Sequence, residues 1–221
     1  KEFNSVFCLN NADAPICYIV MAANKGMCGA FNAELLSFFD GILEKEKKTP
    51  VIFTCGKKVR EHFQSNGIPY KKAYIFNDVP SYSEVSELFK EIRSLMKEGS
   101  VSSVRMVYPE YINMIKQEPV LCDLFTIDEG KDEGDNFIFV PDKDTVINNT
   151  AEKTFTSIMY KKILETALGA QAATLTTMRS AYDTACEYST QLETQINRIR
   201  QSQVTADVIE ISAEYSMKGE K

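Results

Sequence analysis

LTTMRSAYDTACEYSTQLETQINRI, residues 175 to 199, steps along the chain by threes and fours: Leu175, Met178, Tyr182, Ala185, Ser189, Leu192, Ile196 and Ile199. All but Ser189 are apolar. A 3.5-residue period held over this length marks a coiled-coil seam, because on a straight helix of 3.6 residues per turn the stripe would rotate away from its partner. Burying the larger side chains is worth ~1.5 to 3 kcal/mol each, roughly 10 kcal/mol together, none of which a lone helix in water recovers. The spacing therefore predicts a partner helix along Leu175, Met178, Tyr182, Ala185, Leu192, Ile196 and Ile199.

Working outward, residues 144 to 216 contain no Pro and a single Gly, Gly169, and Pro141-Asp142-Lys143-Asp144 ahead of them is a helix-start signal. One helix over that range would be roughly 110 Å long, against a diameter of ~35 Å for a domain built from the residues before it. Most of the helix is expected to stand clear of such a domain. The predicted organisation is an α/β domain over residues 1–141 and a long helix over 142–221. Two other uses of the stripe are packing on the chain's own domain, which could cover only the first turns, and a homodimeric coiled coil.

The N-terminal part alternates strand and helix signals. Residues 16–23 (ICYIVMAA) and 51–55 (VIFTC) are short apolar runs rich in β-branched and aromatic types, each followed by a Gly and a helical pattern. Between them Phe31, Leu35, Leu36, Phe38, Phe39, Ile42 and Leu43 recur at helical spacing until the charged run 44–48 and Pro50 end the helix. A second helix with Val59 and Phe63 on one face stops at Asn66-Gly67 and leads to a strand over residues 73–76. A third begins at Ser81-x-x-Glu84, the spacing of a capping box, carries Val85, Leu88, Phe89, Ile92 and Leu95, and ends at Gly99. Residues 102–108 form another strand, and this alternation specifies a Rossmann-like α/β layer with right-handed crossovers. Pro109 and Pro119 are expected to break the following stretch, residues 128–135 to form a turn, and Phe137 to Val140 a last short strand.

Several chemistries are excluded. The net charge of −6 is wrong for binding a phosphate backbone, so no nucleic-acid partner is expected. The longest apolar run, Ile16 to Ala23, falls far short of the ~20 residues that cross a bilayer. The single His62 and six cysteines without a C-x-x-C pair offer no metal site and suit a reducing compartment. No nucleophile, base and orienting group assemble into a catalytic set. The start at Lys1 without Met or signal peptide reads as a chain taken from a longer precursor.

Two clusters remain. Lys25, Gly26, Cys28, Gly29, Phe31 and Asn32 lie in a Gly-containing loop between a strand and a helix, where phosphates are often cradled, but with neither G-x-G-x-x-G nor G-K-[ST] spacing. The glycines there suit tight backbone geometry better than a cofactor. Near the far end of the long helix, Gln201 and Thr205 share a face with Arg200 at its edge, a donor patch suited to a carboxylate on another protein.

These motifs together carry a resemblance. Lys25-Gly26-Met27-Cys28-Gly29-Ala30-Phe31-Asn32 resembles the R-G-L-C-G-[GA]-[FL]-N signature of the γ subunit of F-type ATP synthases, the central rotor shaft, with Asn24-Lys25 in place of the usual Asp-Arg. Gly56-Lys57-Lys58 with Phe63, the segment from Tyr108 to Gln117-Glu118-Pro119, and Phe137-Ile138-Phe139-x-Pro141 are similar to family segments in the same order. Met178, Ala181, Asp183 and Ala185 resemble M-x-A-M-x-x-A-x-D-N-A, although Thr174 and Thr184 replace its Arg and Asn; residues 197–205 resemble N-x-x-R-Q-x-x-I-T. The tail from Glu214 to Lys221 departs from the family's small-residue end.

The resemblance implies that the long helix is one half of an antiparallel coiled coil whose other half is an N-terminal helix of the same polypeptide, ahead of Lys1. It implies that Arg200, Gln201 and Thr205 contact a loop of the catalytic β subunit, inside a ring of α and β subunits. The α/β domain would rest against an ε-type subunit and the membrane c-ring. It further implies a proton-driven rotary function with no cofactor, metal or catalysis of the chain's own. The location implied is the cytoplasmic face of a bacterial plasma membrane or the matrix side of an organelle inner membrane. The rival readings are a stand-alone nucleotide-binding α/β enzyme using the residue 26–32 loop and a dimeric coiled-coil adaptor.

Overall fold

A computed structural model describes residues 13–124, 140 and 142–218, the side chains of 143, 144 and 215–218 excepted. The described elements are β1 (Ile16–Met21), α1 (Phe31–Leu43), β2 (Val51–Cys55), α2 (Lys57–Asn66), β3 (Lys72–Tyr74), α3 (Tyr82–Lys97), β4 (Ser103–Tyr111), β5 (Gln117–Asp123) and α4 (Lys143–Lys218). The strands form one sheet in the order β3-β2-β1-β4-β5, parallel except for β5. The expected turn over residues 128–135 and all but the last residue of the expected strand over 137–140 lie outside the described residues.

Alternation along β1 explains the layering. Cys17, Ile19 and Met21 point into a core shared with Val85, Leu88, Phe89 and Ile92 of α3 and with Phe155, Met159 and Ile163 of α4. Tyr18 and Val20 point the other way, into a core with Leu35 and Phe39 of α1 and Val59 and Phe63 of α2. A strand covered on both faces needs apolar residues at every position, which is why residues 16–23 read as a continuous run. The capping box is formed: the Ser81 hydroxyl accepts from Glu84 N and the Glu84 carboxylate accepts from Ser81 N at 2.8 Å. At the start of α4 the Asp142 carboxylate accepts from Thr145 N at 3.0 Å, so the cap is Asp142.

Two expectations need correction. β3 ends at Tyr74 rather than Phe76, because the Phe76 carbonyl accepts from the Asn24 side chain (2.7 Å) instead of extending the ladder. Pro109 and Pro119 do not break the chain: β4 runs through Pro109, and β5 pairs with it antiparallel, Pro109 directly opposite Pro119. Ile112 N donates to Lys116 O at 3.3 Å, and hydrogen-bonded pairs alternate along an antiparallel ladder. The Pro109–Pro119 pair therefore falls at a non-bonded position, where neither residue needs an N–H toward the other. Pro119 then carries no donor on the side of β5 that faces away from β4, the outer side of the sheet among the described residues.

The chain divides into two compact units, residues 1–176 and 177–221. The boundary falls within α4, whose first part belongs to the unit of the sheet. Besides its apolar contacts there, Glu152 pairs with Arg93 of α3, Tyr160 Oη donates to Pro80 O at 3.4 Å, and Lys162 Nζ lies 4.6 Å from the Tyr108 ring centroid.

Candidate interaction surfaces

The winding of the sheet reverses between β1 and β4, and in doubly wound folds the crevice at the carboxyl ends of such strands is where ligands are held. The loop leaving β1 occupies that place. Asn32 organises it: its Oδ1 accepts from Ala23 N (3.0 Å), and its Nδ2 donates to Lys25 O (3.3 Å) and Cys28 Sγ (3.0 Å). Asn24 ties the loop to the next two crossovers, donating to Phe76 O and accepting from Lys57 N at 3.1 Å. Lys25 pairs with Asp78 at 2.6 Å.

The backbone here is tightly specified. Gly29 has φ +58°, and Met27, a residue with a side chain, has φ +61° and exposes 75% of its surface. Gly56 has φ +112°, and a Cβ on it would lie 2.2 Å from the Ala22 carbonyl oxygen, so only glycine fits. Gly26 has open space where a Cβ would be and no positive φ, so the fold does not require glycine there.

What the loop holds is α4. Ala23, Cys28 and Phe31, each nearly buried, pack with Ala170 and Ala173 of α4. Gly169 lies against the Phe31 ring. The apolar face of the signature loop is thus spent on the chain's own helix. Sequence reading singled out Lys25, Gly26, Cys28, Gly29, Phe31 and Asn32, named Asn24 and Gly169 without giving either a role, and missed Ala170 and Ala173. The one glycine in a long helical pattern was the available signal.

The seam residues Leu175, Met178, Tyr182, Leu192, Ile196 and Ile199 are between 40% and 69% exposed, and Ala185 is also exposed. So is every residue from 178 to 214. The apolar content continues past Ile199 as Val204, Val208 and Ile211, also exposed and not part of the sequence-predicted seam. Arg200, Gln201 and Thr205 are exposed, and the Thr205 hydroxyl donates to the Gln201 carbonyl at 2.8 Å, leaving its lone pairs to accept from outside. His62 turns its ring to Asp40 of α1 (Nε2–Oδ2 3.0 Å), a link between two helices.

Among the described residues no three His, Cys, Asp or Glu side chains are grouped to hold a metal ion, and no helix is long and apolar enough to cross a membrane.

A family model described as ATP synthase matches residues 2–215. The ATP synthase gamma chain of Clostridium botulinum is 26% identical over 212 residues, covering 96% of this chain and 75% of that one. That of Rubrobacter xylanophilus is 29% identical, covering 87% and 70%. In fold, the chain is similar to a component of the Euglena gracilis mitochondrial ATP synthase OSCP/F1/c-ring structure, with a TM-score of 0.71 at 15% identity, covering 91% of this chain and 72% of that one. A chain of the central stalk and c-ring of the Tetrahymena thermophila mitochondrial ATP synthase gives a TM-score of 0.62 at 15% identity, covering 76% of each.

Proposed function

Since the chain belongs to the ATP synthase gamma-chain family, we infer that it is the shaft of a rotary motor, a central-stalk subunit that links a turning membrane ring to the catalytic sites. It is a component of an enzyme complex and contributes no catalytic group of its own. The observation that carries the reading is α4, an unbroken helix from Lys143 to Lys218 with apolar side chains exposed along it.

In this reading the partner of the seam is a second helix running antiparallel. Arg200, Gln201 and Thr205 contact a loop of a catalytic β subunit within the ring of α and β subunits. Arg200 supplies a planar, permanently charged donor for a carboxylate, while Gln201 and Thr205 add neutral hydrogen bonds. An asymmetric shaft makes different contacts with each catalytic subunit it faces, and only such differential contacts can favour different nucleotide states in successive sites. The sheet unit rests on the c-ring and an ε-type subunit, at the cytoplasmic face of a bacterial membrane or the matrix side of an organelle membrane. With the apolar side of the 24–32 loop packed on α4, nucleotide binding belongs to the partner subunits.

The test is Arg200→Ala in the assembled complex. The variant chain is expected to melt like the parent, while proton pumping per ATP hydrolysed falls severalfold. Unchanged coupling in a correctly assembled complex would remove the patch from the mechanism. Calorimetry of the isolated chain with ATP is expected to give no binding heat, and a saturable signal would favour the enzyme reading.

A further inference from the structure

Gly169 is the only glycine in α4, and inside a helix glycine is a poorer former than alanine. Its neighbours include Ala167, Ala170, Ala172 and Ala173, so a methyl group is tolerated all around it. At 169 it is not. An added Cβ would lie 3.1 Å from Cε2 of Phe31 and 3.4 Å from Cγ of Gln117, so the first residue of α1 and the first of β5 close on the helix at this one point. Ala170 and Ala173 beside it meet Ala23 and Cys28 of the signature loop.

We propose that Gly169 and Phe31 form a key that fixes both the axial position and the angular phase of α4 on the sheet unit, and that torque passes between helix and base through this key. A glycine makes a notch at a single azimuth. Sliding α4 by one residue would move it ~1.5 Å and turn it ~100°, presenting Leu168 or Ala170 to the ring in place of the notch. Leu168, now 53% exposed, has no room there. The contacts of α4 nearer its start, Glu152 with Arg93 and Lys162 over Tyr108, involve long side chains that can follow a small rotation; the notch cannot. Gly169 is thus a positioning residue. The signature loop acquires a role, held in shape by Asn32 so that Phe31 stays in the notch.

The mechanical part of this proposal rests on the rotor reading, and the packing part does not, so the experiment has two arms. In the first, the full chain and its Gly169→Val, Phe31→Leu and doubly substituted forms are melted. Gly169→Val is expected to keep the parent's far-UV spectrum and to melt ~4 °C lower, with the smaller Phe31→Leu side chain returning at least about half of that loss. In the second arm the same forms are assembled into the ATP synthase, and proton pumping per ATP hydrolysed is measured. Gly169→Val is expected to lower that ratio severalfold with hydrolysis retained, and the double substitution to restore most of it. A role confined to stability would not change the ratio at temperatures well below melting. Losses in the double form equal to the sum of the single ones, or a parent-like ratio for Gly169→Val, would overturn the key. Should Gly169→Val not fold, Gly169→Ala carries the same cycle with one methyl group. A parent complex whose coupling does not depend on this chain would instead sink the rotor reading, leaving the first arm to judge the packing.

Discussion

Gly56 shows how one residue can hold two crossovers in place. Its φ of +112° and the 2.2 Å approach of a would-be Cβ to the Ala22 carbonyl leave no room for a side chain, and its own N–H donates to Tyr74 O at 2.8 Å. Gly56→Ala is expected to cost about 3 kcal/mol or more, read as a lower urea midpoint with an unchanged slope. The strand thiols make a second residue-scale prediction. Burial pushes the Cys17 thiol up to about 12, against a partial lowering by Lys71, and burial also raises Cys55. Both stay protonated in the folded chain while the unfolded chain ionises them near pH 9. The unfolded state then binds fewer protons, so stability falls as pH rises from about 9 toward 12. Between pH 8 and 10.5 the loss is of order 2 kcal/mol per thiol, and Cys17→Ala with Cys55→Ala should flatten it. Urea melts at the two pH values decide, and an equally steep profile in the double variant would place the cause elsewhere. On the same grounds Cys186, exposed on α4, should react with a thiol reagent at pH 8 well before Cys17 and Cys55.

At the scale of elements, α3 and the β4–β5 hairpin contrast local with non-local specification. The start of α3 is written in four residues, Ser81 to Glu84, and both reciprocal bonds are made. Ser81→Ala is expected to cost ~1 kcal/mol, measured as a drop of several degrees in melting temperature. Loss of stability below the resolution of the melt would mean the cap is redundant with packing by Val85 and Leu88. The hairpin was not legible in the same way. A proline removes an N–H wherever it occurs, but whether that N–H was needed depends on which edge of which pair it faces, and the parity of Pro109 and Pro119 is fixed only once the strands register. The early end of β3 has a similar origin, since the carbonyl of Phe76, two residues past its end, is taken by Asn24, 52 residues away in the chain.

For the whole molecule, the question is what covers the apolar positions of α4. Phe155, Met159 and Ile163 are covered by the sheet unit; Leu192, Ile196 and Ile199 are not covered by any of the described residues. Side chains of this size repay ~1.5 to 3 kcal/mol each on burial, enough together to drive association with a second helix. Leu192→Asp with Ile196→Asp should leave the melting of the sheet unit within ~2 °C of the parent, because neither residue belongs to its cores, yet prevent incorporation into a reconstituted complex. Incorporation at the parent level would take the seam out of the interface. Light scattering on the same pair of proteins separates the adaptor reading: a parent dimer that becomes a monomer on substitution would favour it over a shaft.

The order of strands and helices from β1 to β4, the burial of β1 and the uninterrupted α4 were set by the sequence alone, because each follows from local spacing: runs of apolar residues, capping signals and the absence of proline. The 3-4 step at Leu175 to Ile199 likewise depends only on positions along one helix. Tertiary structure decided what depends on neighbours remote in sequence. It paired Pro109 with Pro119, closed Gly56 on Ala22, and turned the loop from Asn24 to Asn32 from a conceivable phosphate cradle into a seat for Gly169 and Ala173. No periodicity encodes such contacts, since they arise only when separate segments, ten residues apart for the two prolines and well over a hundred for Phe31 and Gly169, come within van der Waals reach.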